Sequence, residues 1–264
     1  MTDLPLISIV TPTLNQAEFI EATIQSVLSQ DYPHTEYIVV DGGSTDGTLD
    51  ILKRHGDAIK WISEPDRGQA DAINKGFAMA TGSILSWLNS DDLLTPGAIR
   101  FVADYFQRNP DVSFIYGDAL ALDKVGKPYG IRVHVRQTNY DELIHMGDLI
   151  VQPAAFWRRS LWDTVGTLDA NLRYALDYEY WMRVAKQFEM RYVPVCLAQE
   201  RLHDGALTFG GTLRRIEEIE RSAIQHGGDH LPRFFHGEAA AIYFMEALKA
   251  LRSGKWSEGR KPFH

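Results

Sequence analysis

The stretch from Glu36 to Arg54, EYIVVDGGSTDGTLDILKR, places a short apolar run directly before a turn and a helical pattern. The run Glu36–Val40 is rich in β-branched residues and is bounded by a turn cluster, which predicts a buried strand. Residues Asp41–Gly47 are of turn-forming types, and Thr48–Arg54 resumes with helical character. The stretch therefore predicts one unit of strand, turn and helix.

The same alternation extends on both sides of this unit. Short apolar runs predict further strands at Leu6–Val10, Lys60–Ser63 and Ser83–Leu88. Apolar residues at helical spacing predict helices at Asn15–Gln30 and Gln69–Ala80. Because strands that alternate with helices at this spacing form parallel sheets, we expect an α/β fold whose mostly parallel central sheet carries helices on both faces.

The second half of the sequence is less regular. It predicts a helix at Pro96–Gln107 with Thr95 as its N-cap, and a second helix at Asp177–Gln187. Extended segments are predicted at Val112–Gly117, Ile131–Val135, Ala154–Arg158 and Tyr192–Leu202, and Leu143–Gly147 is ambiguous. Two amphipathic helices follow, at Leu213–His226 and Pro232–Leu251.

Composition narrows the class of protein. The chain has 264 residues, of which 45 % are hydrophobic and 23 % charged, values typical of a folded globular protein. With 27 Lys and Arg against 35 Asp and Glu, its net charge is −8, which argues against nucleic acid as a partner. The single cysteine, Cys196, favours a reducing compartment. No signal peptide or membrane-spanning run is evident, so we expect a cytoplasmic enzyme or binding domain.

Polar residues follow three of the predicted strands. They are Thr11-Pro12-Thr13, Asp41-Gly42-Gly43 and Asn89-Ser90-Asp91-Asp92. Since ligands bind beyond the carboxyl ends of parallel strands, these residues predict a site at one edge of the sheet. Each segment taken alone is equally typical of a turn before a helix. No G-x-G-x-x-G follows the first strand, which disfavours a dinucleotide cofactor.

Carboxylates after the fourth strand indicate a cation site. Asp91 and Asp92 repel each other unless a cation or hydrogen-bond donors offset their charge, and oxygen ligands suit Mg²⁺ or Mn²⁺. The alternative is that both residues only precede the helix at Pro96. Upstream, Arg67 could contact a phosphate. Asp71, Asn74 and Lys75 share a helix face that is either part of the site or simply solvated.

Two later residues are candidates for chemistry. Asp177 lies in the first turn of a predicted helix among aromatic residues, a position suited to a general base and also common for any helix start. Glu179 and Arg183 are four residues apart and are interpreted as a structural ion pair. His203 ends an extended segment in Arg201-Leu202-His203, although a lone histidine is usually structural.

These segments, in this order, resemble the family 2 glycosyltransferases of the Rossmann-like GT-A fold. The motifs ISIVTPTLNQ, IVVDGGSTDGT, EPDRGQADAINKGFAMATGSILSWLNSDD, QPAAFWRRSLWDTVGTLDANLRYALDYEYWMRVA and ERLHDGALT carry the resemblance from about Leu6 to Thr208. It implies a catalytic domain of residues 1–209 and a C-terminal helical extension of residues 210–264. The most similar members assemble bacterial surface polysaccharide.

The resemblance also implies roles for individual residues. Asp177 is the catalytic base, and Asp91 with His203 holds Mn²⁺ or Mg²⁺. The nucleotide-sugar donor contacts the remaining residues: Thr11, Pro12, Thr13, Asn15, Asp41, Asp66, Arg67, Asp71, Asn74, Asn89 and Ser90. Among these, Asp41 contacts uridine. The family usually has Asp-x-Asp where this chain has Asn89-Ser90-Asp91, so Asp91 becomes the principal ligand.

The activity implied is inverting transfer of a sugar from a nucleotide-diphospho-sugar, with UDP as the expected nucleotide, to a saccharide or lipid-linked acceptor. Two alternatives stay open. The first is a non-catalytic nucleotide-sugar-binding or scaffold protein, because Asn89 replaces an acidic residue of the metal motif. The second is a sugar nucleotidyltransferase, which the loop TPTLNQ disfavours. Three interpretations of the C-terminal helices are open: packing on the domain, a homodimer contact, or peripheral docking on the inner face of a membrane.

Overall fold

The structure is a computed structural model that describes residues 4–131, 135–206 and 213–252. Its strands are β1 (Ile7–Thr13), β2 (Thr35–Asp41), β3 (Lys60–Ser63), β4 (Ile84–Trp87), β5 (Leu93–Leu94), β6 (Phe114–Leu122), β7 (Pro128–Ile131), β8 (Ala155–Arg158) and β9 (Met190–Arg201). Its α-helices are α1 (Ile20–Leu28), α2 (Thr48–Arg54), α3 (Gln69–Met79), α4 (Ala98–Arg108), α5 (Tyr140–Met146), α6 (Arg159–Val165), α7 (Leu176–Ala185), α8 (Leu213–Gln225) and α9 (His236–Arg252).

The N-terminal half forms the parallel part of the sheet, as the sequence predicts. Its strands lie in the order β3-β2-β1-β4, and every neighbouring pair is parallel. All seven residues of β1 are buried, so both faces of this strand are covered. α3 packs against β1 and β2. The strands end together, so the loops after β1 and β4 meet at one edge.

The second half turns the sheet into a mixed one. β8 pairs antiparallel with both β4 and β6, whereas β6 and β9 are parallel. β5 extends the far edge beside β9, and β7 pairs with β6. The α/β class and the mostly parallel central sheet are confirmed, since only β5, β7 and β8 of the described strands run against the others. Of these, β8 lies between two strands that run the other way.

Several predicted bounds are corrected. The strand predicted at Val112–Gly117 continues as β6 to Leu122, and the one predicted at Ile131–Val135 lies earlier, as β7, with residues 132–134 outside the described ranges. The ambiguous Leu143–Gly147 lies mostly in α5.

Thr95 is not the N-cap of α4. Its hydroxyl donates to the Cys196 carbonyl on β9 at 2.7 Å, and Gly97, at a φ of 80°, precedes the helix instead. The first helix likewise begins at Ile20 rather than Asn15. Asn15 adopts a φ of 54°, so the chain turns there before the helix starts.

An aromatic cluster joins the two halves below the site. Trp87 at the end of β4 stacks on Trp181 of α7, with ring centroids 5.4 Å apart and planes at 10°. Trp157 of β8 and Tyr180 of α7 complete this fully buried group. Offset stacked and edge-to-face rings stabilise such contacts beyond their buried area. The cluster therefore fixes α7 relative to the loop after β4.

The C-terminal helices pack on this core. α8 contacts α5 and α7, and α9 contacts α8. Ile216, Ile219 and Ala223 of α8 belong to the same apolar cluster as the sheet. The predicted domain boundary at 209/210 falls outside the described ranges, and so does Thr208. Within the described ranges, no helix combines the length and the apolar character needed to span a bilayer.

Candidate active site

A cavity of about 1410 Å³ opens at the carboxyl ends of β1 and β4. Nine of the residues singled out in the sequence line it: Pro12, Thr13, Asp66, Arg67, Asn89, Ser90, Asp91, Asp92 and Asp177. Loops after the strands supply most of them, and α7 supplies Asp177. The fold thus brings these sequence-distant groups to one cavity, as expected for the strand ends of a parallel sheet.

Asp91 and His203 face each other at the edge of the cavity. The distance between Asp91 Oδ2 and His203 Nε2 is 3.0 Å, and the Asp91 side chain is 18 % exposed against 7 % for His203. Phe19 packs on the His203 ring, with the two ring centroids 4.7 Å apart. Asp91 lines the cavity, and His203 lies behind it without lining it.

Asp92 plays a different part from its neighbour. Its carboxylate is buried and accepts hydrogen bonds from the Arg201 backbone N–H at 3.0 Å and from Asn89 Nδ2 at 3.2 Å. Burial, and then the nearby charges of Asp91 and Glu200, raise the pKa of Asp92 well above its usual range. Asn89 also accepts from Gln69 Nε2 at 2.7 Å. The Asn in place of the family's Asp therefore supplies an N–H donor to Asp92.

Sequence reasoning did not single out Arg201, which ties the end of β9 to this loop. Its Nε donates to the Asp91 carbonyl at 3.0 Å, and its guanidinium lies over the Phe19 ring at 5.3 Å. Its presence two residues before His203 was the available signal.

The donor set fits a divalent cation only in part. Asp91 contributes a carboxylate oxygen and His203 an imidazole nitrogen, both of which bind Mn²⁺ or Mg²⁺. Among the residues that the structure describes, no group of three or more His, Cys, Asp or Glu side chains is arranged to hold a metal. Such a site suits a metal that takes its other ligands from a bound diphosphate and water.

Asp41 does not line the cavity. It is fully buried, and its Oδ2 accepts hydrogen bonds from the backbone N–H groups of Gly43 and Ser44 at 2.9 Å and from the Ser63 hydroxyl at 2.7 Å. Its Oδ1 accepts from the Ser44 hydroxyl. Both oxygens of Asp41 thus bond within the protein and hold the turn after β2, and its contact with uridine stays a prediction.

Two residues of the first strand and its loop also bond within the protein, Thr11 at a buried position and Asn15 at an exposed one. The Thr11 hydroxyl is buried and lies 3.0 Å from the Tyr37 hydroxyl. Asn15 accepts a hydrogen bond from the Thr45 backbone N–H at 2.8 Å, which joins the loops after β1 and β2. Neither side chain lines the cavity, because each is engaged in holding neighbouring segments together.

The predicted helix face on α3 is largely structural. Asp71 pairs with Arg67 at 2.8 Å, and Lys75 pairs with Glu64 at 2.8 Å. Asn74 donates to the Leu168 carbonyl at 2.9 Å and accepts from its N–H at 3.0 Å. Asp71 and Asn74 therefore lie outside the cavity wall.

Asp177 faces the cavity from the first turn of α7. Its Oδ1 accepts a hydrogen bond from the Tyr178 N–H at 2.8 Å. Burial raises the pKa of Asp177. The hydrogen bond from the Tyr178 N–H and the positive charge of Arg215 lower this pKa in part, whereas the negative charge of Glu218 raises it further. Glu179 pairs with Arg183 at 2.9 Å, which confirms that pair as structural.

Other lining residues were not predicted. Arg215, Ile219, Phe234, Phe235 and Glu238 of the C-terminal segment close the side of the cavity next to Asp177. The sequence pattern predicts amphipathic helices there but does not say which of their residues meet the cavity. Gln152 lines it too, and its buried Oε1 has no hydrogen-bond partner among the described residues.

Comparison with known proteins identifies the family. The model of the family described as Glycosyl transferase family 2 matches residues 8–163, more than half of the chain. A PGL/p-HBAD biosynthesis glycosyltransferase of Mycobacterium tuberculosis is 31 % identical over 231 residues, covering 82 % of each chain. An uncharacterized glycosyltransferase of Rickettsia typhi is 29 % identical over 228 residues, covering 82 % of this chain and 70 % of that one.

Solved structures share the fold. The S. aureus TarS fragment 1–349 in complex with UDP-GlcNAc has a TM-score of 0.68 at 16 % identity, covering 94 % of this chain and 74 % of that one. This chain spans 44 % of a longer TarS chain. The mannosyltransferase PcManGT of Pyrobaculum calidifontis, in complex with GDP-Man and Mn²⁺, has a TM-score of 0.65 at 20 % identity, covering 96 % and 80 %. With its GT-A fold, the chain belongs to glycosyl transferase family 2.

Proposed function

We propose that this protein transfers a sugar from a nucleotide-diphospho-sugar, of which a UDP-sugar is the first choice, to a hydroxyl of a saccharide or lipid-linked acceptor, with inversion at the anomeric carbon. The observation that carries the proposal is that Asp91 and Asp177 line the same cavity. The similar mycobacterial protein is named for PGL/p-HBAD biosynthesis, which supports a role in building envelope glycoconjugates or polysaccharide.

The donor lies at the strand ends in this proposal. Pro12 and Thr13 after β1, with Asp66 and Arg67 before α3, line that end of the cavity and contact the nucleotide. Asp91 and His203 would hold Mn²⁺ or Mg²⁺, and such an ion would supply positive charge that stabilises a departing diphosphate. A similar structure contains both GDP-Man and Mn²⁺, which supports this assignment.

Asp177 acts as the general base. The acceptor oxygen attacks the anomeric carbon from the face opposite the diphosphate, a carbon–oxygen bond forms as the bond to the phosphate oxygen breaks, and the hydroxyl proton passes to an Asp177 oxygen. The raised pKa of Asp177 favours this role, since a carboxylate of higher pKa is a stronger base.

The family match disfavours the nucleotidyltransferase alternative.

The scaffold alternative is tested by measuring turnover. Replacing Asp177 by Asn should lower the rate of donor consumption by about 100- to 10,000-fold and leave nucleotide affinity unchanged, because only proton transfer is lost. Release of UDP or GDP from UDP-GlcNAc, UDP-Glc, UDP-Gal and GDP-Man measures this rate. Equal turnover of the variant would contradict the base assignment.

Calorimetric titration tests the donor and metal assignments. UDP, GDP and dTDP are titrated into wild type and Asp91→Asn, each with and without Mn²⁺. We expect one nucleotide to bind in a manganese-dependent way and the variant to lose that dependence, because Asn contributes no negative charge. Binding that ignores manganese would remove the metal role of Asp91, and binding of no nucleotide would favour the scaffold alternative.

We place the protein in the cytoplasm, with peripheral contact to the inner face of the membrane through α9. Phe244 and Met245 are 63 % and 53 % exposed on this helix, which supports the contact. Phe244→Glu should reduce co-sedimentation with anionic liposomes, and Val125→Glu, at a site 87 % exposed on a distant turn, is the matched control. Equal pelleting with a changed elution volume would instead support a homodimer contact.

A further inference from the structure

The segment that leads into Asp177 depends on a residue of the C-terminal helices. Residues Ala170–Asp177 line the cavity without interruption, and the segment enters α7 only at Leu176. Asp177 is therefore held by a helix start whose preceding backbone must be fixed by other contacts.

Glu218 of α8 supplies those contacts. One of its carboxylate oxygens, Oε1, accepts hydrogen bonds from three consecutive backbone N–H groups: Arg173 at 2.9 Å, Tyr174 at 2.6 Å and Ala175 at 2.8 Å. Glu218 is buried, and within the described part of the chain it forms no salt bridge. Since an unpaired buried carboxylate is costly, its negative charge is offset by these N–H groups and by the N-terminus of α7.

The N-cap residue of α7 is Ala175, which makes no side-chain capping hydrogen bond. Within the first turn, Asp177 accepts the Tyr178 N–H. A carboxylate that receives several N–H groups in a buried setting forms strong, charge-assisted hydrogen bonds. From another helix, Glu218 thus fixes the backbone that enters α7, because the three N–H groups it accepts belong to the N-cap residue Ala175 and the two residues before it.

We propose that Glu218 is the positioning residue for Asp177, so that α8, which lies beyond the segment matched by the family model, is required for the chemical step. This inference rests on the proposed function. Glu218 itself does not contact the reacting atoms; it fixes the backbone from which Asp177 reaches them. A displacement of the base by about 1 Å can cost about 100-fold in rate, so loss of this contact should be visible in turnover.

The test compares Glu218→Ala, Glu218→Gln and the exposed neighbour Glu217→Ala in the full chain. In Glu218→Ala, the rate of donor consumption should fall by about 10- to 100-fold, while the affinity for UDP stays within twofold of wild type. Glu218→Gln retains a carbonyl oxygen that accepts N–H groups, so it should recover part of the rate. Glu217→Ala should match wild type.

Amide hydrogen exchange of residues 173–175 provides a readout that needs no substrate. These amides should exchange about tenfold or more faster in Glu218→Ala than in Glu217→Ala, because their shared acceptor is gone. Unchanged exchange, or unchanged turnover in Glu218→Ala, would overturn the inference. Full turnover in Asp177→Asn would overturn the proposed base instead, and a wild type that consumes no donor would overturn the proposed function together with the positioning role.

Discussion

Buried aspartates in this chain differ in what their oxygens contact. Asp41 accepts hydrogen bonds on both oxygens from groups of its own turn and of β3. Asp177 accepts one N–H from Tyr178 and faces a cavity. A carboxylate whose acceptor sites are filled stabilises a turn, whereas one with open acceptor sites can take a proton from a substrate. Residue type and position at an element end are the same in both cases.

The charge around Asp177 makes a prediction about pH. Asp177 interacts electrostatically with Arg215 and Glu218 of α8. Arg215 also forms an ion pair with Glu238 of α9. Because Arg215 favours the ionised carboxylate, Arg215→Gln should raise the pKa of Asp177 and move the acid limb of kcat/KM to higher pH. The exposed neighbour Arg214 gives the control variant Arg214→Gln, which should leave the limb in place. A limb that moves to lower pH would contradict this reading.

At this scale the sequence predicts residue chemistry better than residue partners. Asp91 and Asp177 follow from their positions after a strand and at a helix start, and both line the cavity. Asn74 does not, because it bonds the backbone of Leu168, a residue 94 positions away in the chain. A contact of that kind leaves no local pattern, so residue spacing does not predict that Asn74 bonds this backbone and lies outside the cavity lining.

Among the elements, the pairing of α3 with the sheet depends on close approach. A Cβ atom at Gly76 would lie 2.3 Å from Val10 Cγ1 and 3.2 Å from Val40 Cγ2. Both valines belong to buried strands that cannot move aside cheaply. Glycine at position 76 therefore lets the helix lie directly on β1 and β2.

This packing predicts opposite effects for two glycine substitutions. Gly76→Ala should lower the free energy of unfolding by about 1–3 kcal/mol, because the added methyl overpacks the contact with Val10. Gly237→Ala in α9 has open space around it and should be neutral or stabilising by up to about 1 kcal/mol. Urea denaturation measures both. A Gly76→Ala variant as stable as wild type would mean that α3 does not press on the strand as closely as the distance indicates.

Elements were predicted well where a single pattern determines them. Buried strands such as β2 and helices such as α2 follow from apolar runs and turn residues within a few positions. β6 was predicted too short because its continuation to Leu122 depends on pairing with β9, about 80 residues later. α6 was missed because it follows β8 directly, with no turn residues to mark its start as Asp41–Gly47 mark the start of α2.

For the molecule as a whole, the two ends of the parallel strands carry different tasks. The carboxyl ends open into the cavity, whereas a buried carboxylate, Glu36, holds the amino ends together. Glu36 of β2 accepts hydrogen bonds from Ser8 of β1, from Lys60 of β3 at 2.7 Å and from the Thr81 backbone N–H before β4 at 2.7 Å. Three neighbouring strands and the segment that leads into β4 thus share one charged group on the side away from the site.

Glu36 makes the stability of the sheet depend on pH. Burial alone would raise its pKa, but hydrogen bonds from Lys60, Ser8 and Thr81 outweigh burial and lower the pKa to about 2 from the ordinary 4.5. A lowered folded-state pKa adds stability that is complete above pH 4.5 and is lost as the pH falls toward 2, by about 3 kcal/mol in all.

The variant Glu36→Gln isolates this contribution. It should be less stable than wild type at pH 7, and the difference in free energy of unfolding should shrink as the pH is lowered to 3. The reason is that Glu36 of the wild type becomes protonated and loses its charge-dependent stability, whereas the glutamine variant has no such charge to lose. Glu189→Gln, at a side chain 71 % exposed, should change the free energy of unfolding by no more than about 0.5 kcal/mol and follow the wild-type curve. Urea denaturation at several pH values measures both variants. A difference between wild type and Glu36→Gln that stays constant from pH 7 to 3 would mean that Glu36 contributes through shape rather than charge, and that the amino ends of the strands are held by backbone pairing alone.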